Sequence, residues 1–446
     1  MQLSAIALGV FVLLVTTRAV FSFLSIRNVQ YADQLVGQHR DWLESTLGID
    51  DSDELRSYHR LTTAIGELES WIGLAAVVVV IYGGGLSWAV DLLAATGLSV
   101  VLQGVAFFVG LAVAAQLASL PFSLVSTFGV EEIFGFNNQT PTLFVRDTLV
   151  QLGLSVGFVT ILSGAVLAAI DRFPTLWPAA AWGLFVVVSL VMQILYPRVI
   201  APLFNDFEPV ADGELRESVE AVFERAGFET SDIYTMDASR RSTQLNAYFI
   251  GFGRTKRVVL FDTLVEKMER AELQSVLAHE LAHWKEAHIW KQFAAGAIQM
   301  AVVVAALGWL VDFKPLYAAF GIPASATYAG LLLAALIVSP LLQVTAPLSN
   351  ALSLKHEREA DAYAAEVMGP QPMIDALGRL PARISPTPSR IRGMRRSTTA
   401  IRRSRSGFDC CNSEPPMAMQ QARHHSRRRP GMTDGRAREL RADHRG

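Results

Sequence analysis

Seven stretches of this chain are long and apolar enough to cross a lipid bilayer, and that count limits the architectures open to it. They run roughly from Leu3 to Phe23, Trp71 to Val90, Leu98 to Leu120, Leu149 to Ile170, Leu176 to Tyr196, Phe293 to Val311 and Thr327 to Leu348, each near the roughly 20 residues a spanning helix needs. With 51% of its 446 residues hydrophobic, the chain is too apolar for an ordinary soluble enzyme. The first stretch lacks a basic leader and a small-residue cleavage site, so it reads as a retained helix and not a removed signal. The expected fold class is mainly α, a multi-pass membrane protein of seven transmembrane helices.

Orientation follows from the basic residues. Seven spans put the loops after the first and third, the segment from Pro197 to Gln292 and the C-terminal region on one side. That side carries Arg198, Arg240, Arg241, Arg254, Lys256, Arg257, Lys285 and Lys291, which marks it as cytoplasmic.

Chemistry enters with His279-Glu280-Leu281-Ala282-His283. On a helix this pattern sets two imidazoles at i and i+4 on one face with a carboxylate beside them, the arrangement of a zinc metalloprotease. A catalytic zinc takes three protein ligands and leaves a fourth position for water, and Glu280 is placed to be the general base that deprotonates it. The third ligand is expected on a separate helix, and Glu357 is chosen. Asp361, four residues on, shares its face and can orient a ligand histidine through the free ring N–H, while Glu359 points elsewhere. Between Ala271 and Phe293 there is no Pro or Gly, so the zinc helix is expected to run unbroken from Glu272 through His288 into the sixth span.

The one sizeable soluble piece lies between the fifth span and that helix. Gly213 to Gly227 reads as an amphipathic helix and Asp232 to Asp237 as a strand. Asn246 to Ile250 and Arg257 to Phe261 read as two more strands, with Gly251 and Gly253 at the turn. An exposed edge strand beside a metalloprotease helix can bind an extended peptide by strand addition; a hairpin that merely packs on the helix is the alternative. The chain thus divides into residues 1–196 (five spans and their loops), 197–292 (soluble part with the HExxH helix), 293–348 (two spans), 349–380 (third-ligand helix) and 381–446 (basic tail).

Several segments resemble the type I CAAX prenyl endopeptidase family of integral-membrane zinc metalloproteases. They are VEEIFGFNNQT at Val130 to Thr140, YPRVIAPLFNDFEP from Tyr196, RSTQLNAYFIGFG at Arg241 to Gly253, KRVVLFDTL from Lys256, HELAHWKEAH from His279 and NALSLKHEREADAYA from Asn350. The resemblance implies one Zn²⁺ on His279, His283 and Glu357, Glu280 as base, Asp361 behind the ligands, and Asn246 and Ala247 lining the substrate cleft. It further implies seven helices enclosing an intramembrane chamber, a small α+β metalloprotease domain on the cytoplasmic side, and prenylated CAAX-type or other membrane-associated peptides as substrates. Two departures stand close to the site: Ala282 where many members have Gly, and Leu354 where Arg is usual.

The larger departure is the tail. From Pro381 onward there are 16 Arg and 5 acidic residues, a net of +11, against a net of −13 for the rest of the chain. A basic disordered arm is one reading. The other is a change of reading frame: read one base earlier, the codons permitted for Ile384 to Asp409 can spell a run containing HYSHPPLPERI. The family carries a segment of that kind, whose histidine and arginine approach the active site. The frameshift is favoured, and with it impaired activity.

Cys410 and Cys411, the two cysteines, imply no disulfide or metal site. The sequon at Asn138 reads as a structural loop, and His59, His288 and His356 as satisfied surface histidines. The acidic body points to a prokaryote, hence a cell membrane; a eukaryotic source would imply the endoplasmic reticulum. The partners expected are a membrane-tethered peptide and the bilayer, with no nucleic acid. Two functional classes result, a membrane zinc endopeptidase and a non-catalytic scaffold or quality-control homologue, separated by peptide hydrolysis with Glu280→Gln as control.

Overall fold

The structure, a computed structural model, describes residues 4–38, 40–41, 52–228, 232–250 and 257–379. The Gly251–Gly253 turn and the basic tail lie outside them. Among the described residues, seven helices are long and apolar enough to cross a membrane. They are α1 (Ala5–Gln38), α2 (Ser52–Tyr82), α4 (Val100–Val125), α5 (Pro141–Arg172), α6 (Trp177–Leu195), α10 (His288–Val311) and α12 (Thr327–Met368), with α3 (Gly85–Ala94) a short apolar helix after α2. A π turn, Ser126–Glu131, extends α4, and Tyr196–Ile200 extends α6.

The second span differs from the expected Trp71 to Val90. Its helix begins some twenty residues earlier and stops at Tyr82, because Gly84 adopts φ 84° and breaks the hydrogen-bond ladder before α3. Such a left-handed turn suits glycine, which has no Cβ to clash. By contrast α12 runs for 42 residues through Pro340 and Pro347, so the seventh span and the third-ligand segment form one continuous rod. Trp177, Tyr317, Tyr328 and Leu333 centre an apolar core shared by the membrane helices. Gly104 permits one of its close crossings: a Cβ there would collide with Leu167 Cδ1 and lie 2.9 Å from Tyr328 Cβ.

The soluble part is a four-stranded sheet in the order β1-β2-β4-β3. Its strands are β1 (Phe207–Pro209), β2 (Asp232–Met236), β3 (Ala247–Ile250) and β4 (Arg257–Phe261). β2 and β4 are parallel, while β1 and β3 flank them antiparallel. The three strands expected from sequence are present, and β3 is an edge. β1, only three residues long, carries too little alternation to be read from sequence. Around the sheet lie α7 (Glu214–Ala226), α8 (Asp262–Lys267), α9 (Arg270–Lys285) and α13 (Pro370–Arg379), whereas α11 (Lys314–Ala319), between the sixth and seventh spans, packs on α1 and α12.

Arg241 fastens this domain to the membrane helices. Its guanidinium grips buried Asp147 on α5 with Nε 2.9 Å and Nη2 3.2 Å from the two carboxylate oxygens, and Nη1 donates to Asn205. A two-pronged pair of this kind costs about 3–5 kcal/mol to break from one side, since the surviving charge is left buried. Beside it, Asn138 Nδ2 donates to Ser239 O, and Thr140 caps α5. The sequon loop is therefore structural, as expected.

Candidate metal centre

The HExxH helix α9 opens with a reciprocal cap. The Glu269 side chain accepts from the backbone N–H three residues on, and Glu272 accepts from Glu269 N at 2.9 Å. Both satisfy backbone donors that a helix start otherwise leaves unpaired. α9 packs against α7, α12, α13 and β3, with Leu277, Ala278, Leu281 and Ala282 fully buried.

His279 and His283 face α12. Their Nε2 atoms are 3.3 Å apart, His279 Nε2 is 3.4 Å from Glu357 Oε2, and His283 Nε2 is 3.9 Å from Glu357 Oε1. Donors at about 2.0–2.1 Å around a tetrahedral zinc lie about 3.3–3.4 Å from one another, so this set fits that ion. Behind it, His279 Nδ1 is 3.0 Å from Asp361 Oδ1, although the N–H is not aligned as a hydrogen bond.

The electrostatics separate the two imidazoles. Burial acts to lower the His279 pKa, but the Asp361 and Glu357 carboxylates outweigh it and hold the value at about 10. Burial, reinforced by the neighbouring His279, pushes His283 down to about 4. Burial raises Glu280 to about 7, near the operating pH that suits a general base.

The zinc helix does not run on into the sixth span. α9 ends at Lys285, and Ala287 takes φ 53°, the one positive φ among the described non-glycine residues, before α10 starts at His288. No Pro or Gly marks this break. It turns His288 back toward His283, with Nδ1 to Nδ1 at 3.1 Å. A left-handed alanine costs about 1–2 kcal/mol. Ala287→Gly is therefore expected to stabilise the fold by about 0.5–1 kcal/mol after glycine's greater loss of freedom, read as a higher Tm in detergent. A fall in Tm would mean that the alanine methyl contributes packing that outweighs its strain.

The three histidines read as surface residues are buried: His59 at 6% exposure, His288 and His356 at 1% each. The interiors between helices cover them, and Glu359 Oε2 lies 3.0 Å from His288 Nε2. Of the residues expected in the substrate cleft, Asn246 is exposed at the start of β3. Ala247 is 2% exposed, so its side chain faces the core.

Fold and site together define a multi-pass membrane protein carrying a metallopeptidase-type His/Glu cluster. The family model for the CAAX prenyl protease N-terminal region, five membrane helices, matches residues 35–206, and that for peptidase family M48 matches 209–398. The second match runs past the Pro381 start of the basic tail. Similar proteins include the CAAX prenyl protease 1 homologue of Dictyostelium discoideum, 39% identical over 59% of this chain and 62% of its own length. The Homo sapiens homologue is 30% identical over 63% of this chain and 67% of its own. The crystal structure of S. mikatae Ste24p superimposes with a TM-score of 0.73 at 26% identity, over 86% of this chain and 99% of that one. The chain belongs to peptidase family M48, in its CAAX prenyl protease branch. Its match spans 62–63% of the length of the Dictyostelium, rice and Arabidopsis relatives.

Proposed function

We propose that this chain is a membrane-embedded zinc metalloendopeptidase that cleaves prenylated CAAX-type or other membrane-tethered peptides. In this reading His279, His283 and Glu357 hold the zinc, Glu280 is the general base and Asp361 orients His279. The observation that carries it is the spacing of the three donor side chains, 3.3–3.9 Å. Zn²⁺ held there would supply Lewis acidity and lower the pKa of a water. Glu280, with its pKa raised to about 7, takes the proton from the attacking water at its carboxylate and can return it to the leaving amine.

The free edge of β3 supports binding of an extended peptide by main-chain pairing, which positions a bond without reading its side chains. Asn246 lines that cleft through its side chain and Ala247 through its backbone alone. The Lys and Arg distribution supports a cytoplasmic metal domain, in the cell membrane of a prokaryote or the endoplasmic reticulum of a eukaryote; the relatives named above are eukaryotic. Cysteine labels at Asp212 and Phe313 are expected to react from opposite faces, and reaction from one face would remove a span.

Substrate class is tested by pairing one CAAX peptide with and without its lipid. The lipidated form is expected to have a kcat/KM about tenfold or more higher, equivalent to about 1.4 kcal/mol. Equal values would withdraw the prenyl group from the proposal and leave membrane-tethered peptides in general.

A further inference from the structure

Behind the proposed ligands lies a second cluster, His288, His356 and Glu359, whose donor atoms fall within 4.8 Å of one another. Two buried imidazoles and a carboxylate invite the idea of a second ion. Ring geometry argues against it. The His288 and His356 rings are stacked, centroids 4.0 Å apart and planes 13° from parallel. An imidazole lone pair lies in the ring plane, so one ion cannot sit in both planes at once.

The contacts make chemical sense as a hydrogen-bond chain instead. A histidine that binds a metal through Nε2 must carry its proton on Nδ1, and that N–H needs an acceptor to fix the tautomer and the ring's rotation. His279 has Asp361 in this place, at 3.0 Å. His283 has no carboxylate there; its Nδ1 faces His288 Nδ1 at 3.1 Å, and His288 Nε2 faces Glu359 Oε2 at 3.0 Å. One proton arrangement satisfies every atom in the row. The His283 Nδ1–H donates to His288 Nδ1, and the His288 Nε2–H donates to the carboxylate. The other Glu359 oxygen lies 3.7 Å from Lys355 Nζ, which favours the ionised acceptor.

We propose that His288 and Glu359 are positioning residues for metal binding, a relay that holds His283 in its Nε2-coordinating tautomer as Asp361 does for His279. His356 stacks on the relay histidine and limits its rotation. Three alternate residues of α12 then divide the work: Glu357 reaches the ion, Asp361 serves one ligand histidine, and Glu359 serves the other through His288. The turn at Ala287 is what makes the second arm feasible. On a continuous helix His288 would lie roughly 140° around the axis from His283, whereas the break brings their rings within hydrogen-bond reach.

This proposal rests on zinc binding by His279, His283 and Glu357, and its test keeps the two apart. Zinc affinity is measured on the full chain in detergent by competition with a chromophoric chelator, with zinc content determined alongside. The wild type is expected to hold one zinc and His279→Ala none. His288→Phe keeps a ring to stack on His356 but offers no acceptor, and it is expected to weaken zinc binding roughly 10- to 100-fold. Glu359→Leu is expected to fall in the same range. Glu359→Gln keeps an oxygen that accepts from His288 and is expected to stay near the wild type, a rescue that a purely packing role does not provide.

Wild-type affinity in a folded His288→Phe protein, or equal affinities for Glu359→Gln and Glu359→Leu, would overturn the relay. The Glu359 pair decides the question if His288→Phe does not fold. Two zincs per chain, with one lost in His356→Phe, would also overturn it by making the cluster a metal site. Zinc retained by His279→Ala would overturn the primary metal assignment, a different result from failure of the relay alone.

Discussion

Replacing Glu280 by Gln is expected to lower peptide turnover by about 10²–10⁴ while leaving one zinc bound, because general-base catalysis contributes on that scale and the residue is not in the proposed ligand set. His279→Ala, His283→Ala and Glu357→Ala are expected to lose the metal itself, since each would leave two of three protein donors. Zinc content and turnover measured on the same preparations separate the two roles. Full zinc affinity in Glu357→Ala would show that the third donor has been misassigned. The pH dependence follows from the same carboxylate. Burial raises Glu280 to about 7, and the base must be ionised to accept a proton, so kcat/KM is expected to fall as the pH drops through its pKa. A cation bound nearby favours the ionised form, which places that limb at or below about 7. The absence of any acidic limb down to the lowest pH at which zinc stays bound would contradict the assignment of Glu280 as base.

What could be read from the sequence here depended on whether a feature is local. The HExxH spacing and the Glu357/Asp361 pair are helical periodicities, and the structure brings His279, His283, Glu357 and Asp361 to one place because each lies on a regular helix. Length and apolarity are equally local, so the seven spans are legible in the sequence, apart from the bounds of the second, whose helix Gly84 ends. The turn at Ala287 was not legible. Its residues carry no breaker, and an alanine adopts φ 53° only because tertiary packing repays the strain; the nearby contact of His288 with His283 at 3.1 Å shows where the chain must go. Arg241 and Asp147 stand 94 residues apart, and nothing in either neighbourhood announces the other. Their role in seating the segment that leads into β3 appears only once α5 and the sheet are assembled. The buried histidines were misread for the same reason: His288 and His356 sit among charged neighbours in sequence, yet face each other between α10 and α12.

Restoring the alternative reading frame from about Ile384 is expected to raise peptide turnover by about 10² or more, the scale of one lost hydrogen-bond donor to a developing oxyanion. Read one base earlier, the codons across Ser397 and Thr398 can supply the histidine, and those following Gly407 lie just beyond the arginine, that the family resemblance brings to the active site. As the chain stands, the proposed zinc ligands and base all precede residue 362, so the metal site lies wholly upstream of the altered segment, which would contribute only the further histidine and arginine. Truncation after Leu380 is accordingly expected to leave zinc content and membrane insertion unchanged, and to leave turnover no lower than that of the given chain. The encoding DNA around codons 380 to 385 identifies the frame directly, and the restored protein, assayed on a lipidated peptide beside the given one, measures what the lost segment contributes. If the given chain already cleaves that peptide as fast as the restored one, the frameshift account of its function fails. The net +11 of the tail would then be tested against vesicles of anionic lipid, where each basic residue near the surface adds about 1 kcal/mol of attraction.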